Sequence, residues 1–176
     1  LSNPQVMRNL SVVHIKELIK ARFKKAIDDL TISDKGTSEI KNYTYLKNTK
    51  PQIVENQSFL VPKKSVFNKI TGDNDFELEV ASYFEKFTDV ISYAKNTMGD
   101  GGINFKIEYQ AQDGNIKEYY PDFFIKTDDK TFFILETKGR VDFDDIRKIK
   151  RLILWCKDIN AVQKDYTYTA VYLKWE

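Results

Sequence analysis

Cysteine and histidine are nearly absent from this chain of 176 residues, which holds one of each, Cys156 and His14. A disulfide within the chain is therefore excluded, as is a zinc finger or any zinc site built from histidine and cysteine. Long apolar runs are missing as well. Nothing approaches the roughly 18 consecutive apolar residues of a membrane-spanning helix, and the first residues lack the basic-then-apolar order of a secretion signal. These absences predict a cytoplasmic protein with no membrane partner, in which the sequons at Asn42 and Asn56 are coincidental. The turn Gly99-Asp100-Gly101-Gly102 is not followed by Gly-Lys-Ser/Thr, so it makes no phosphate-binding loop and no ATP site of that type. A surplus of one charge is missing too. The formal net charge is +2 and the isoelectric point is near 8.4, a balance that would not by itself suggest DNA. Leu1 stands where a methionine would open a complete chain, and this predicts a fragment of something longer.

What is present suffices for one ordinary core: 41% of residues are hydrophobic and 14% aromatic, so one folded domain is expected. From Ser11 to about Leu30, the apolar residues Val12, Ile15, Leu18, Ile19, Phe23, Ala26, Ile27 and Leu30 recur at helical spacing. Lys16, Lys20, Arg22, Lys24 and Lys25 occupy the other side, a face that is either solvated or in contact with nucleic acid or a preceding domain. Asp34 to Ser38 break the pattern, and residues 39–65, interrupted by Pro51 and Pro62, read as short strands or an extended connector. Residues 1–65 are thus an N-terminal helical extension and connector, and 66–176 carry the chemistry.

That chemistry is concentrated between Glu118 and Arg140. Two aromatic and β-branched stretches, YYPDFFIK and TFFILETKG, flank the turn formers Thr127 to Lys130 and predict a hairpin. Strand alternation puts Phe132, Ile134, Glu136 and Lys138 on one face and Phe133, Leu135 and Thr137 on the other. Asp122 precedes Glu136 by 14 positions (136 − 122), which sets the two opposite each other across such a hairpin. Pro121 cannot donate a ladder hydrogen bond, so a strand edge or bulge is expected there. Any single acid on a strand is most often a solvated surface residue. Glu136, however, follows the apolar run Phe132 to Leu135, where a carboxylate is costly unless paired or bound to metal. Two converging carboxylates beside a lysine make a site for a hard divalent cation such as Mg²⁺ or Mn²⁺.

Around that run, Asp73, Asn74 or Asp75 can cap a helix that starts near Phe76 and buries Phe76, Val80, Ala81, Phe84 and Phe87. Glu77 sits at the boundary of that face, where a helix-start carboxylate is favoured by the dipole; Glu79 lies farther round. Asp89 to Asn96 reads as a strand or short segment. Asp142 or Asp144 can cap a helix to about Lys157 with Phe143, Ile146, Ile149, Ile153 and Trp155 or Cys156 inward. Arg147, Lys148, Lys150 and Arg151 form a basic band on it, either solvated or facing a DNA backbone. Tyr166 to Lys174 alternates as a last strand.

Pro121-Asp122 followed by Glu136-Thr137-Lys138 resembles the signature of the PD-(D/E)xK nuclease superfamily. The surrounding order FELEVASYFE, DVISYAKN, IEYQ, YYPDFFI, ILETKGR and a following helix is similar to the C-terminal nuclease domain of type III restriction enzyme Res subunits and their helicase-nuclease relatives. The likeness runs from about Phe67 to Cys156. It implies an α/β, restriction-endonuclease-like fold. The mixed sheet would comprise roughly 103–110, 117–126, 131–138 and 166–174, between helices at 76–87 and 142–157 and behind the N-terminal helical extension. It also implies a Mg²⁺-dependent endodeoxyribonuclease. Asp122, Glu136 and the Thr137 main-chain carbonyl would hold the metal, Glu77 (or Glu79 if the register is off) would reach it directly or through water, and Lys138 would orient the attacking water or stabilise the phosphate. The implied partners are DNA, an ATP-driven helicase or translocase domain in the same parent chain, and a DNA methyltransferase subunit. Two other functions stay open: a non-catalytic nucleic-acid-binding or assembly module on the same fold, and a nuclease for RNA, branched DNA or single-stranded ends.

Overall fold

The computed structural model describes residues 12–33, 38–139, 142 and 144–175. The chain is mixed α/β. Helix α1 spans Val13–Ser33, followed by a 3₁₀ turn at Leu46–Asn48, strands β1 (Phe59–Leu60) and β2 (Ile70–Thr71), and helix α2 (Asp75–Lys86). Strands β3 (Ser92–Lys95), β4 (Ile107–Gln110), β5 (Ile116–Tyr119), β6 (Phe123–Lys126) and β7 (Thr131–Lys138) come next, then helix α3 (Asp145–Val162) and strand β8 (Thr167–Lys174). Among the described residues no helix is long and apolar enough to cross a membrane.

The central sheet has the order β3-β6-β7-β8. Its first three strands are antiparallel neighbours, and β8 runs parallel to β7 after the α3 crossover. Side chains alternate across β7, so each helix receives one face. Val80, Ala81 and Phe84 of α2 join Phe123, Ile125 and Leu135 in one core, while Leu152 and Cys156 of α3 join Ile134, Tyr109 and Tyr119 in another. The β6–β7 turn forms where Asp128 accepts hydrogen bonds from the Lys130 and Thr131 amides, both at 2.7 Å, an acid in the role that favours it in turns.

Several elements differ from the sequence expectations. The segment expected at 103–110 is a strand only from Ile107 to Gln110, and it pairs with β5 in a separate two-stranded sheet. Its place in the central sheet is taken by β3, from the segment Asp89 to Asn96. The strand expected at 117–126 is two strands, because Pro121, fully buried, breaks the ladder between β5 and β6. Helix α3 runs five residues beyond Lys157 (162 − 157) and is turned differently: Asp145, Leu152 and Cys156 are buried, whereas Ile146 and Ile153 are exposed. Asp144 stands at its N-cap position without a side-chain cap bond and instead accepts from the Gln112 amide at 2.7 Å, docking the helix onto the β4–β5 hairpin. The expected inward position of Phe143 and the break at residues 34–37 lie outside the described residues.

The helix expected from Ser11 is present as α1, but Leu18, Phe23, Ile27 and Leu30 of its apolar stripe stay exposed; periodicity reports amphipathicity, not what covers it. The end of the 39–65 connector is tied to the rest. Strand β1 pairs with β2, and the Tyr93 amide donates to the Lys64 carbonyl at 2.9 Å. The Lys64 ammonium donates to the Phe84 and Phe87 carbonyls at 3.2 and 2.6 Å, a cation on the orphan acceptors at the end of α2.

Candidate metal centre

The break at Pro121 lets the chain leave the β4–β5 hairpin and enter the central sheet with Asp122 at the turning point. The Asp122 amide donates to the Leu135 carbonyl at 3.0 Å although Leu135 is in register with Phe123, so the ladder is offset by one residue there, as in a bulge. The freed carboxylate turns onto the next residue of β7. Its Oδ2 accepts from the Thr137 amide at 2.7 Å and from the Thr137 hydroxyl at 2.6 Å.

Glu136 projects from β7 on the face toward α3. Its Oε2 accepts from the Tyr119 hydroxyl at 3.0 Å, and its Oε1 lies 3.0 Å from the Lys138 ammonium. Lys138 in turn lies 3.6 Å from Asp145 Oδ1, and Lys148 reaches the same oxygen at 3.6 Å. Asp122, Glu136, Thr137, Lys138, Tyr119, Glu77 and Lys148 line one cleft of about 570 Å³.

Glu77 enters the cleft from the start of α2. Asn74 caps this helix, its Oδ1 accepting from the Glu77 amide at 3.0 Å, and Glu77 answers as the acid of a capping box does. Its Oε1 accepts from the Asn74 side-chain amide at 3.0 Å and its Oε2 from the Asp73 amide at 3.1 Å. The same Oε2 is bonded to the ammonium of Lys95. Both residues are buried. Glu79 is exposed and accepts from the Tyr83 hydroxyl at 3.3 Å, away from the cleft.

Burial and mutual repulsion govern the acids. Burial pushes Glu136 up to about 7, helped by the Asp122 charge and opposed by Lys138 and Tyr119. Asp122 is also raised, first by burial and then by Glu77, against the Thr137 hydrogen bonds and Lys95. Burial works against the charge on Lys138, but Glu136 and Asp145 outweigh it and hold its pKa above the usual lysine value. The ammonium therefore stays protonated. Burial, then Glu136, keeps the Tyr119 phenol firmly protonated as a donor.

Two carboxylates raised by desolvation and by a neighbouring acid's charge are what a divalent cation relieves, and oxygen donors suit Mg²⁺ or Mn²⁺. The donor set of Asp122, Glu136 and the Thr137 carbonyl fits such an ion. Among the described residues no three acidic, histidine or cysteine side chains already form a metal-binding group; Glu77, the third acid, is engaged by Lys95.

Without a cation, a pH dependence follows from Glu136. Its ordinary pKa is 4.5, and in the fold it keeps its proton up to about 7. Between these values the folded chain holds a proton that the unfolded chain has lost, so stability falls as pH rises through this window. Thermal melts in chelator are expected to show a melting temperature that drops from about pH 5 to about pH 7. Glu136→Gln should flatten that slope. An unchanged slope in the variant would place the titrating group elsewhere.

Sequence reasoning brought Asp122, Glu136, Thr137 and Lys138 together, and the structure places all four in one cleft. It missed Tyr119, which lines the cleft, and Lys95 and Asp145, which pair with an acid and a base that do. For Asp145 a signal existed: it shares a helical stripe with Leu152 and Cys156, an acid on an apolar face. For Tyr119 none did, since strand alternation sends residues three apart to opposite faces. Of the basic band, Lys148 turns into the cleft, while Lys150 and Arg147 remain outside.

The fold and cleft define the chain as a mixed α/β protein with a paired-carboxylate and lysine site. Comparison with protein-family models, with curated proteins and with solved structures finds no match.

Proposed function

We propose that the chain is a metal-dependent endodeoxyribonuclease domain of restriction-endonuclease-like fold that hydrolyses DNA phosphodiester bonds. The observation that carries this is the convergence of Asp122, Glu136 and Lys138 in one cleft. The succession α2, β3, β6, β7, α3, β8 supports it as well, being the helix, three strands, helix, strand order of that superfamily, with the β4–β5 hairpin inserted.

Asp122, Glu136 and the Thr137 carbonyl would hold Mg²⁺, with Mn²⁺ able to substitute, and Glu77 would reach the ion through a water. The ion supplies what the side chains lack, an acidified water and charge to offset the phosphate. Thr137 fixes Asp122 by two hydrogen bonds, and Tyr119 and Lys138 fix Glu136 from either oxygen. Lys138, being protonated, cannot take a proton. It donates, holding the attacking water or countering negative charge that grows on the phosphate.

By its resemblance the domain is the cleavage part of a type III restriction enzyme Res subunit, driven by an ATP-dependent motor on the same parent chain and directed by a methyltransferase subunit that reads the sequence. The test is nicking of supercoiled plasmid by this chain with Mg²⁺ or Mn²⁺, beside Asp122→Ala at equal folded concentration. Slow nicking without sequence preference is expected, abolished by chelator and in the variant. Nicking that survives Asp122→Ala would remove the site, and strong site-specific cleavage by this chain alone would remove the division of labour.

The satisfied hydrogen bonding of Glu77 favours a second function, a non-catalytic DNA-binding or assembly module. DNA binding with no uptake of Mn²⁺ would select it.

A further inference from the structure

We infer that the cleft takes a single divalent cation, because the buried ammonium of Lys95 already neutralises Glu77, the carboxylate that a second cation would need. This rests on the metal-dependent reading of the same site.

Three acids face the cleft: buried Glu136 and Glu77 and half-buried Asp122. Of these, Glu77 alone is paired with a fully buried ammonium. Asn74 donates to one of its oxygens, and the Asp73 amide and Lys95 donate to the other. Lys95 is as deeply enclosed. Its side chain is 6% exposed and that of Glu77 5%, with Asp73 Oδ2 3.7 Å away on the solvent side and the ring of Phe123 5.7 Å below the ammonium. A cation that claimed Glu77 as an inner ligand would have to displace Lys95, leaving a buried ammonium without its partner. That is the costly way to open a buried ion pair.

Charge bookkeeping leads to the same number. Glu77 and Lys95 cancel, Lys138 and Asp145 cancel at 3.6 Å, and Lys148, the remaining cleft cation, is offset by Asp142 at 3.7 Å. Asp122 and Glu136 are left with a formal charge that one divalent ion matches. A second ion would meet no free carboxylate among the described cleft residues except exposed Asp73 and Glu118, and Glu118 is already bonded to Lys106 and Tyr120. Lys95 is near enough to act as the fixed partner of this arrangement: it is the cross-strand neighbour of Phe123, the residue after Asp122.

The experiment is titration of this chain with Mn²⁺, followed by calorimetry and by the electron paramagnetic resonance of the bound ion. The parent chain is expected to take up one Mn²⁺ with the spectrum of an isolated ion. Glu77→Gln should keep that stoichiometry, since its one amide oxygen can still accept from the Asp73 amide and Lys95 and Glu77 is not an inner ligand. Lys95→Met, which frees Glu77, should raise the uptake to two and add the signature of a spin-coupled pair. Two ions bound by the parent chain, loss of the single ion in Glu77→Gln, or one ion in folded Lys95→Met would each overturn the inference. If Lys95→Met does not fold, parent and Glu77→Gln decide it. No uptake by the parent would instead remove the metal-dependent reading itself, and the inference with it.

Discussion

Lys138→Ala is expected to lower metal-dependent nicking by roughly a hundred- to a thousandfold, the scale set by loss of one preorganised electrostatic group in a site, while fold and Mn²⁺ uptake persist. The reason lies in its surroundings. Lys138 is 3.0 Å from Glu136 and 3.6 Å from Asp145, so it is aimed by two fixed acids and pays little reorganisation when charge develops beside it. It is not a cation ligand. Its removal takes away repulsion toward a divalent ion, so Mn²⁺ affinity should hold or rise as the rate falls. Single-turnover nicking at saturating Mg²⁺, beside Mn²⁺ titration of the same variant, separates the two. A rate equal to the parent's would take Lys138 out of the reaction, whereas parallel loss of rate and Mn²⁺ uptake would make it a structural support of the acids.

Phe123→Ala should be the most destabilising of single core truncations, by about 3–5 kcal/mol in urea unfolding, against a total of roughly 5–15 kcal/mol for a typical domain. Phe123 is 0% exposed. Its ring meets that of Phe84 edge-on at 5.4 Å, joining β6 to α2, and it underlies the ammonium of Lys95. Truncation leaves a cavity between sheet and helix directly behind Asp122, so nicking should fall too, even in the fraction that stays folded. Ile146→Ala serves as the contrast. Sequence periodicity put Ile146 inward, but it is 66% exposed, and its truncation should stay within about 0.5 kcal/mol of the parent. Comparable losses at both positions would mean that α3 presents a different face to the sheet.

The site was legible because it depends on local geometry. Strand alternation and the spacing of Asp122 and Glu136 across a short turn decide which carboxylates meet, and both are written in a single run of residues. The sheet was less so. Ser92–Lys95 and Ile107–Gln110 are short strands of similar character, and only pairing partners far along the chain determine which joins β6. The facing of α3 was misjudged for a related reason. Asp145 occupies an inward position because Lys138 and Lys148 are there to meet it, and an acid stabilised by tertiary partners reads from sequence as surface. Lys95 is the same case in basic form.

The kink at Pro121 sets a rule of length rather than of composition. Tyr119 and Asp122 are three residues apart, an odd interval that an unbroken strand would divide between its two faces. Tyr119 accordingly meets Glu136 and Asp122 meets Thr137, adjacent residues of β7 whose side chains also point to opposite faces. Substitutions in this stretch can be absorbed one contact at a time, but inserting or deleting a single residue would send either the tyrosine or the aspartate to the wrong side of the sheet. The spacing from Tyr119 to Asp122 is therefore the least negotiable dimension of the chain.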